Sequence, residues 1–189
     1  DVNDELGQEV ASGIGNAAIY LHANVADAED INTLVNRAVD QFGGLDIMFN
    51  NAGISGNQHP RLLDDDLSDF SRVVGINLYG VMAGTRAAGK FMSEHGGGVI
   101  LNTASIAGIM AGQALMTYRA TKAAVIQYSK CSAIDLAEYN IRVNCLAPGH
   151  VRTPLTAFSI PGMNDEQMQK VREALAPVWD SNQPLKRHG

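Results

Sequence analysis

The sequence is poor in cysteine and has no long apolar run, and each shortage excludes a class of protein. Its two cysteines, Cys131 in a helical pattern and Cys145 in an apolar strand pattern, are too few for a disulfide framework. We interpret both as buried thiols in a reducing compartment. No apolar run reaches the roughly 20 residues that cross a bilayer, and the acidic start DVNDELGQ is unlike a secretory signal. We therefore expect a cytoplasmic protein that contacts no membrane.

The sequence also lacks a surplus of basic residues. It has 14 Lys and Arg against 20 Asp and Glu, which gives a formal charge of −6 and a pI near 5.2. Binding to nucleic acid requires clustered Lys and Arg, so no nucleic-acid partner is expected. His and Cys are scattered without the spacing of metal ligands, and we predict no metal site. The expected partner is a small molecule or a second copy of the chain.

What the sequence does contain is an alternation of helical and strand patterns. Its 189 residues are 46% hydrophobic and show no repeat or linker, which indicates a single domain over residues 1–189. Strands that are apolar on both faces and alternate with helices indicate an α/β parallel sheet. The strand patterns cover residues 17–25, 45–50, 97–105 and 141–147, and the helical patterns cover residues 3–11, 28–42, 67–92 and 117–139.

The chain changes character beyond Pro154. Residues 155–180 contain at most one or two short helical patterns and no strand pattern, which suits a lid over a substrate site. Together with Ile106, Met110 and Met116, this lid is a candidate wall of an apolar pocket, although Met and Leu at such positions are as often core residues.

A glycine motif near the start, Ser12-Gly13-Ile14-Gly15, looks like half of a nucleotide-binding loop. Such a loop follows a strand and opens a helix, so that the backbone approaches a phosphate at the helix N-terminus. Here a helical pattern precedes the motif and a strand pattern follows it. We therefore predict a helix-to-strand turn in which Gly13 or Gly15 is the left-handed C-cap.

Candidate site residues follow the strand patterns, because ligands of such sheets bind beyond the carboxyl ends of the strands. Residues 50–53, NNAG, are small enough for a flat ring or a ribose to approach the backbone, and a plain Asn-Gly turn is the alternative. Ser105 ends the next strand pattern. Residues 147–154, APGHVRTP, follow the last one and offer a turn and a hydroxyl, with a surface loop as the alternative.

The stretch YRATK places Tyr118 and Lys122 four residues apart, on one face of a predicted helix. A phenol is a poor base at neutral pH, but a nearby ammonium favours its phenolate form. Tyr118 is therefore a candidate for exchanging a proton with an alcohol or carbonyl oxygen. Solvated surface pairs have the same spacing, so the spacing alone does not identify a catalytic pair.

Taken in order, these motifs closely resemble the short-chain dehydrogenase/reductase family over essentially the whole chain. The order is NNAG, Asn77 within GINLYG, Ser105, Tyr118 thirteen residues later within Y-x-x-x-K, and PG-x-V-x-T. The resemblance implies a Rossmann-like doubly wound sheet with helices on both faces. It also implies an NAD(H)-dependent oxidoreductase that interconverts a secondary alcohol and a ketone on a small, largely apolar substrate.

The resemblance implies a role for each catalytic candidate. Tyr118 would be the acid/base, and Lys122 would assist it and hold the nicotinamide ribose hydroxyls. Ser105 would hydrogen-bond the substrate oxygen, and Asn77 would anchor a water in a proton relay to Lys122. The cofactor-binding residues that it implies are Asp1, Asn24, Val25, Asn50, Ala52, Gly53, Tyr118, Lys122, Pro148, Gly149, Val151 and Thr153.

Three of these positions carry their own qualification. Asp1 stands where the family's second strand ends, and an acidic side chain there favours NAD over NADP, unless it merely precedes a helix. Asn24 and Val25 stand where the family usually has Asp-Val, and Asn24 still offers an oxygen to the adenine amine. His150, beside the nicotinamide loop, is either a substrate contact or a solvated loop residue.

The resemblance also bears on assembly and chain length. The helices at 67–92 and 117–139 would pair across subunits into a homotetramer or homodimer through Ala83, Ala87 and Ala133, unless these face the protein's own sheet. The phosphate-binding loop would lie upstream of Asp1 and a last helix and strand beyond PLKRHG. We expect residues 1–189 alone to be neither stable nor active.

Two rival functions stay open. A dinucleotide-binding sensor or scaffold is disfavoured because binding alone does not need Ser105. A reductase of enoyl or acyl-carrier-bound ketone substrates would call for a basic docking patch, which Arg86, Lys90 and Arg119 do not convincingly form.

Overall fold

The structure, a computed structural model, describes residues 1–151, 153 and 163–182, which form a parallel sheet and the helices that connect its strands. The helices are α1 (Asp4–Ile14), α2 (Ala28–Phe42), α3 (Phe70–Val74), α4 (Gly80–Glu94), α5 (Met116–Asp135) and α6 (Asp165–Asn182). The strands are β1 (Ile47–Asn50), β2 (Gly98–Thr103) and β3 (Ile141–Leu146).

The three strands are parallel and lie in the order β1-β2-β3. Met48 of β1 is opposite Ile100 of β2, and Ile100 is opposite Val143 of β3. α3 and α4 connect β1 to β2, and α5 connects β2 to β3. The predicted α/β parallel sheet is thereby confirmed, and the carboxyl ends of all three strands meet at one edge.

The core lies between the sheet and the two long helices α4 and α5. Ala88 and Met92 of α4 pack with Ile100 of β2, and all three are fully buried. Ala133 of α5 packs against the same cluster. Burial of one large apolar side chain stabilises a fold by about 1.5–3 kcal/mol relative to leaving it exposed, so this cluster fixes both helices on the sheet. Ala133 therefore faces the protein's own core.

A turn of π-helix, Gly75–Tyr79, separates α3 from α4. The amide of Gly80 donates to the carbonyl of Gly75 five residues earlier, which widens the turn. The helix predicted over 67–92 is thus present, but it begins at Phe70 because Leu67 takes a left-handed backbone conformation with φ 56°. The widened turn contains Asn77, which is fully buried.

The termini of the first two helices follow the predicted caps. The Asn3 side chain accepts from the amide of Leu6 at the start of α1, and the Asp27 side chain accepts from the amide of Glu29 at the start of α2. Gly15 ends α1 with φ 83°, and its amide donates to Ala11. The motif at residues 12–15 is therefore a helix C-terminus, as predicted.

The prediction of a strand over 17–25 is wrong as stated. Residues 18–24 have no strand assignment, because a strand requires a ladder of backbone hydrogen bonds and only Asp1, among the described residues, supplies bonds to this segment. The amide of Ala23 donates to Asp1 O at 3.2 Å, and Asp1 N donates to Leu21 O at 3.3 Å. On β1, Ile47 and Phe49 are 65% and 49% exposed, although this strand pattern has little polarity on either face.

The interpretation of both cysteines as buried is also wrong. Cys131 is exposed, because it shares one face of α5 with Gln127, whose amide donates to its sulfur, and with the exposed Ile134. Cys145 lies near the end of β3 and is half-buried.

The predicted lid, residues 155–180, is described only from residue 163 onward, and its first eight residues lie outside the described part. Helix α6 has 18 residues and is longer than the short helices predicted. Its start is closed by a reciprocal pair of bonds, in which Asn164 and Gln167 each accept from the other's backbone amide at 2.9 Å. None of the helices in the described part of the chain combines the length and hydropathy needed to cross a membrane.

Candidate active site

The carboxyl ends of the strands open onto a cavity of about 1880 Å³. Sites for one small molecule usually measure about 300–1,000 Å³, so this cavity has room for a cofactor and a substrate together. Of the residues predicted for the site, only Asn77 does not line the cavity. Those that line it are Asp1, Asn24, Val25, Asn50, Ala52, Gly53, Ser105, Tyr118, Lys122, Pro148, Gly149, Val151 and Thr153.

Lys122 lies at the centre of the site and is only 2% exposed. Its Nζ donates to the carbonyl of Thr103 at the end of β2 at 2.9 Å, and it lies 5.7 Å from the centroid of the Tyr118 ring. Burial lowers the pKa of Lys122 to about 8, with Cys145 opposing the change. An ammonium has three donors, so the bond to Thr103 leaves two hydrogens for a ligand.

Gly53 brings the loop after β1 against the same ammonium. A Cβ atom at this position would lie 3.3 Å from both Lys122 Nζ and Asn77 Oδ1. Such contacts are tighter than ordinary van der Waals packing, so any larger residue would displace one of the two groups or fill the space beside the ammonium. The glycine keeps that space open.

Asn77 clamps the loop after β1 from below. Its Oδ1 accepts from the amide of Ile54 at 2.8 Å, and its Nδ2 donates to the carbonyl of Ile54 at 2.8 Å and to Thr121 Oγ1 at 3.4 Å. Both hydrogens of the side-chain amide are therefore in use, and the side chain ties this loop to α5. A role of Asn77 in anchoring a relay water stays a prediction.

Ser105 lies between β2 and α5 with its hydroxyl partly engaged. Its Oγ accepts from the amide of Ala107 at 3.1 Å, which leaves the hydroxyl hydrogen able to donate to a ligand. The amide of the next residue, Ile106, donates to the carbonyl of Pro148 at 3.0 Å. This bond joins the loop after β2 to the loop after β3, and so fixes Ser105 relative to residues 148–153.

The residues predicted to hold adenosine lie at the other end of the cavity. Asn24 Oδ1 accepts from the amide of Ala26 at 3.1 Å, and Asp1 Oδ1 accepts from the amide of Asn3 at 2.9 Å. Each oxygen retains a second lone pair for a ligand. Asp1 therefore does help to start a helix, as the alternative proposed, but its carboxylate also lines the cavity.

A buried polar network beneath the site is the main feature that sequence reasoning missed. Asn50 was predicted to line the cofactor, but its Nδ2 donates to Thr85 Oγ1 at 3.2 Å and to Asn102 Oδ1 at 2.8 Å. Asn102 in turn donates to Ser129 Oγ at 2.9 Å, and that hydroxyl donates to the carbonyl of Val125. The network joins β1, β2, α4 and α5 directly behind the catalytic candidates.

A signal for this network was present in the sequence. Asn102 is the only side-chain amide within the otherwise apolar stretch GVIL that leads into NTAS, and a buried amide must find partners. Gly84 supplies the second signal, because a Cβ atom there would collide with the side chain of Asn50. A polar residue in a buried strand opposite a helical glycine thus indicates a close helix-sheet contact with a hydrogen-bonded pair.

The fold also brings together one group of side chains that the sequence spacing did not reveal. One ligand atom each of His59, Asp65 and Asp66 lie within 4.8 Å of one another. Asp65 and Asp66 already accept from the amides of Leu67 and Ser68. The prediction that the chain binds no metal stays a prediction.

The comparisons with known proteins identify the family. The family model described as enoyl-(acyl carrier protein) reductase matches residues 1–188. Borneol dehydrogenase of Lavandula x intermedia is 39% identical over 82% of this chain and 60% of its own length. The 3-alpha-(or 20-beta)-hydroxysteroid dehydrogenase of Mycobacterium bovis is 40% identical over 96% of this chain and 68% of its own length. The chain belongs to the short-chain dehydrogenase/reductase family.

A solved structure agrees with this assignment. The fold matches NAD⁺-bound xylitol dehydrogenase with a TM-score of 0.84 and 28% identity, over 100% of this chain and 75% of that chain. The Rossmann-like fold expected from the sequence is thereby confirmed. The chain spans 60–62% of the length of three plant relatives, so the activity of the whole protein is a matter for proposal.

Proposed function

We propose that the protein is an NAD(H)-dependent oxidoreductase that interconverts a secondary alcohol and a ketone. The observation that carries this proposal is the arrangement around the buried Lys122 Nζ, which lies beside the ring of Tyr118 and the backbone of Gly53 in the cavity that Ser105 also lines. Binding a dinucleotide without turnover would need neither a hydroxyl donor nor a phenol at this place.

The cavity suits a dinucleotide on the evidence of its own residues. Asp1 and Asn24 offer acceptor oxygens at one end, and Lys122 offers two donor hydrogens at the other. Gly53 leaves space beside the ammonium in which ribose hydroxyls would bind. The loop of residues 148–153 would hold the nicotinamide carboxamide. The bound nicotinamide would accept or supply the hydride.

The protein's own residues would handle the proton. Ser105 Oγ would donate to the substrate oxygen and orient it toward Tyr118, whose hydroxyl would exchange the proton as general acid or base. With a pKa of about 8, Lys122 is mostly protonated at neutral pH, so its ammonium would stabilise the negative charge that develops on the phenol oxygen. Asn77 would hold Gly53 and Ile54 in place for this exchange.

A carboxylate at Asp1 favours NAD over NADP in this proposal. The carboxylate would accept from the adenosine ribose hydroxyls and would repel a 2′-phosphate. Binding of NADH and NADPH to the full-length natural protein, measured by titration, tests the preference. Asp1→Asn is expected to narrow the difference in dissociation constant between the two, and an unchanged ratio would show that Asp1 does not discriminate.

The proposed substrate is a small apolar alcohol or ketone, and α6 is proposed as part of its lid. Leu175 of α6 lines the cavity together with Met110 and Ile106, and Met168 of the same helix is 4% exposed. We further propose that α4 and α5 pair across subunits in a homotetramer or homodimer. Tyr79 and Met82 are 43% and 41% exposed on this side, whereas Ala133 is used by the chain's own core.

A reductase of acyl-carrier-bound ketones or enoyl groups is the second candidate, favoured by the description of the matching family model. The same Tyr118 and Lys122 would serve both reactions. Against it, Arg119, one of three basic residues considered for carrier docking, is occupied by backbone carbonyls.

The experiment that tests the proposal measures NADH formation by the full-length natural protein with borneol, xylitol and a 3α-hydroxysteroid, and NADH consumption with acetoacetyl-CoA and crotonyl-CoA. Tyr118→Phe is expected to lower kcat/KM by roughly 10²–10⁴-fold with cofactor binding retained. Tyr128→Phe on the same helix is the matched control, because the Tyr128 hydroxyl contacts only Met82 O at 3.4 Å among described residues. Equal turnover by both variants would refute the mechanism, and NADH binding without any turnover would favour the sensor.

A further inference from the structure

The loop of residues 109–115 leads from the segment of Ser105 into the helix of Tyr118, and two of its residues adopt an unfavourable backbone conformation. Ala114 and Leu115 have φ values of 56° and 51°. Residues with a Cβ atom seldom take this left-handed conformation, and two in succession persist only where surrounding contacts impose it. The loop therefore needs an external restraint.

Arg119 supplies that restraint. Its Nε donates to the carbonyl of Ala114 at 3.1 Å, its Nη1 to the carbonyl of Met110 at 3.1 Å, and its Nη2 to the carbonyl of Gln113 at 3.4 Å. Within the described part of the chain, every side-chain hydrogen bond to residues 109–115 comes from this guanidinium. The planar fork of Arg can address three carbonyls at once, which a Lys ammonium on a flexible stem does not reproduce.

Gly112 packs flat against the guanidinium. A Cβ atom at residue 112 would lie 2.5 Å from Arg119 Nη2 and 2.7 Å from its Cζ, closer than real Cβ atoms approach. The backbone of Gly112 is not in the left-handed region, so alanine fits its conformation. Gly112→Ala would therefore displace the guanidinium without removing it.

The restrained loop forms a wall of the cavity beside the candidate catalytic residues. Met110, Gln113 and Leu115 line the cavity, as do Tyr118 and Arg119. Met110 is 62% exposed, so packing contributes little to its position. The position of this wall consequently depends on Arg119.

We propose that Arg119 is a positioning residue that sets which substrates the enzyme accepts. This inference rests on the proposed dehydrogenase function. By holding three carbonyls of the loop, Arg119 fixes the wall formed by Met110 and Gln113 at the distance from Tyr118 that a preferred alcohol requires. Arg119 does not touch the reacting atoms and acts through the loop.

The test compares Arg119→Met, Arg119→Lys and Gly112→Ala in the full-length natural protein, with Arg37→Met on α2 as the control at an exposed arginine. The three test variants are expected to raise KM for the preferred alcohol among borneol, xylitol and a 3α-hydroxysteroid by about tenfold, since substrate contact is lost in both the ground and the transition state. kcat should change less than threefold, and the dissociation constant of NADH should match that of the control.

The shape of the data distinguishes positioning from general damage. The double variant with Gly112→Ala and Arg119→Met should be no worse than the single ones, because both changes release the same contact. Arg119→Lys should not restore KM, since it keeps the charge but loses the fork. An equal weakening of NADH binding, an unchanged preference among the three alcohols, or additive effects in the double variant would overturn the proposal.

Amide hydrogen exchange of residues 109–115 provides a readout that needs no activity. Release of the loop should accelerate exchange in this segment in all three test variants, while the strands β2 and β3 retain their protection. If the wild-type protein oxidises none of the alcohols, the proposed function fails, yet exchange still decides whether Arg119 restrains the loop. Unchanged exchange in Arg119→Met would overturn the restraint itself.

Discussion

The catalytic edge of the sheet and the first 25 residues have equally clear sequence patterns, yet they differ in how their polar groups are paired. At the catalytic edge, Asn50, Asn77 and Asn102 are all at most 7% exposed, and each has hydrogen-bond partners from another element. In residues 1–25, the side chains that interact, such as Asp4 with His22, are more than half exposed.

The difference teaches that a strand pattern predicts extended backbone, whereas pairing decides whether a strand forms. Residues 18–24 and β1 have similar compositions, but β1 is paired with β2 and the earlier segment has only its two bonds to Asp1. Electrostatics differ in the same way. The pKa of Asp4 is lowered by hydrogen bonds from Tyr20 and His22, in a solvated environment where such pairs contribute little to stability.

The sharpest test of the paired region is Asn102→Leu. The substitution leaves the amide of Asn50 and the hydroxyl of Ser129 without partners inside the protein, and each unsatisfied buried group costs about 1–3 kcal/mol. We expect a loss of about 4 kcal/mol in the free energy of unfolding, measured by denaturant titration. Asn144→Leu, at an exposed position of β3, is the control and should change it by less than about 0.5 kcal/mol. Similar losses in both variants would show that the network does not stabilise the fold.

How much of the site could be predicted depended on the kind of signal each residue gives. Tyr118, Lys122, Ser105 and Gly53 were found because their spacing is local or their motifs are distinctive, and the cavity contains all four. The network around Asn102 was missed because its members lie 17 to 52 residues apart, and only the packing of α4 and α5 on the sheet brings them together.

The fold was predictable to a similar extent and for similar reasons. Amphipathic spacing and caps located α1 and α2 closely, since these are local features. The π turn at residues 75–79 was not predictable, because helical periodicity does not report a shift by one hydrogen bond. The exposure of Cys131 was missed because a helical pattern does not show which side of α5 faces solvent.

A second test uses the pH dependence of stability, because the buried amine of Lys122 has no counterpart in the first 25 residues. Its pKa falls from the ordinary 10.5 to about 8 on folding. Between these pH values the unfolded chain keeps the proton and the folded chain releases it, so the free energy of unfolding rises with pH. The rise from this group approaches about 3 kcal/mol between pH 8 and 10.5 and is absent below pH 8.

Lys122→Met isolates this contribution, with Lys130→Met at an exposed position of the same helix as the control. The wild-type protein and the control should become more stable relative to Lys122→Met as the pH is raised from 8 to 10 without cofactor. Denaturant unfolding at several pH values measures the difference. Parallel pH profiles for all three proteins would mean that Lys122 is not desolvated in the folded state.

The smallest expected effect belongs to the first 25 residues. At Gly15 nothing lies within 4 Å of an added Cβ atom, so the cost of Gly15→Ala comes from the backbone alone, which has φ 83°. We expect about 1 kcal/mol of destabilisation by denaturant titration. Gly13→Ala is the matched control, since it also has no neighbour within 4 Å and lies inside α1, where alanine is the better helix former. Gly13→Ala should therefore leave stability unchanged or raise it, and equal losses in both variants would show that Gly15 is not required as the left-handed cap.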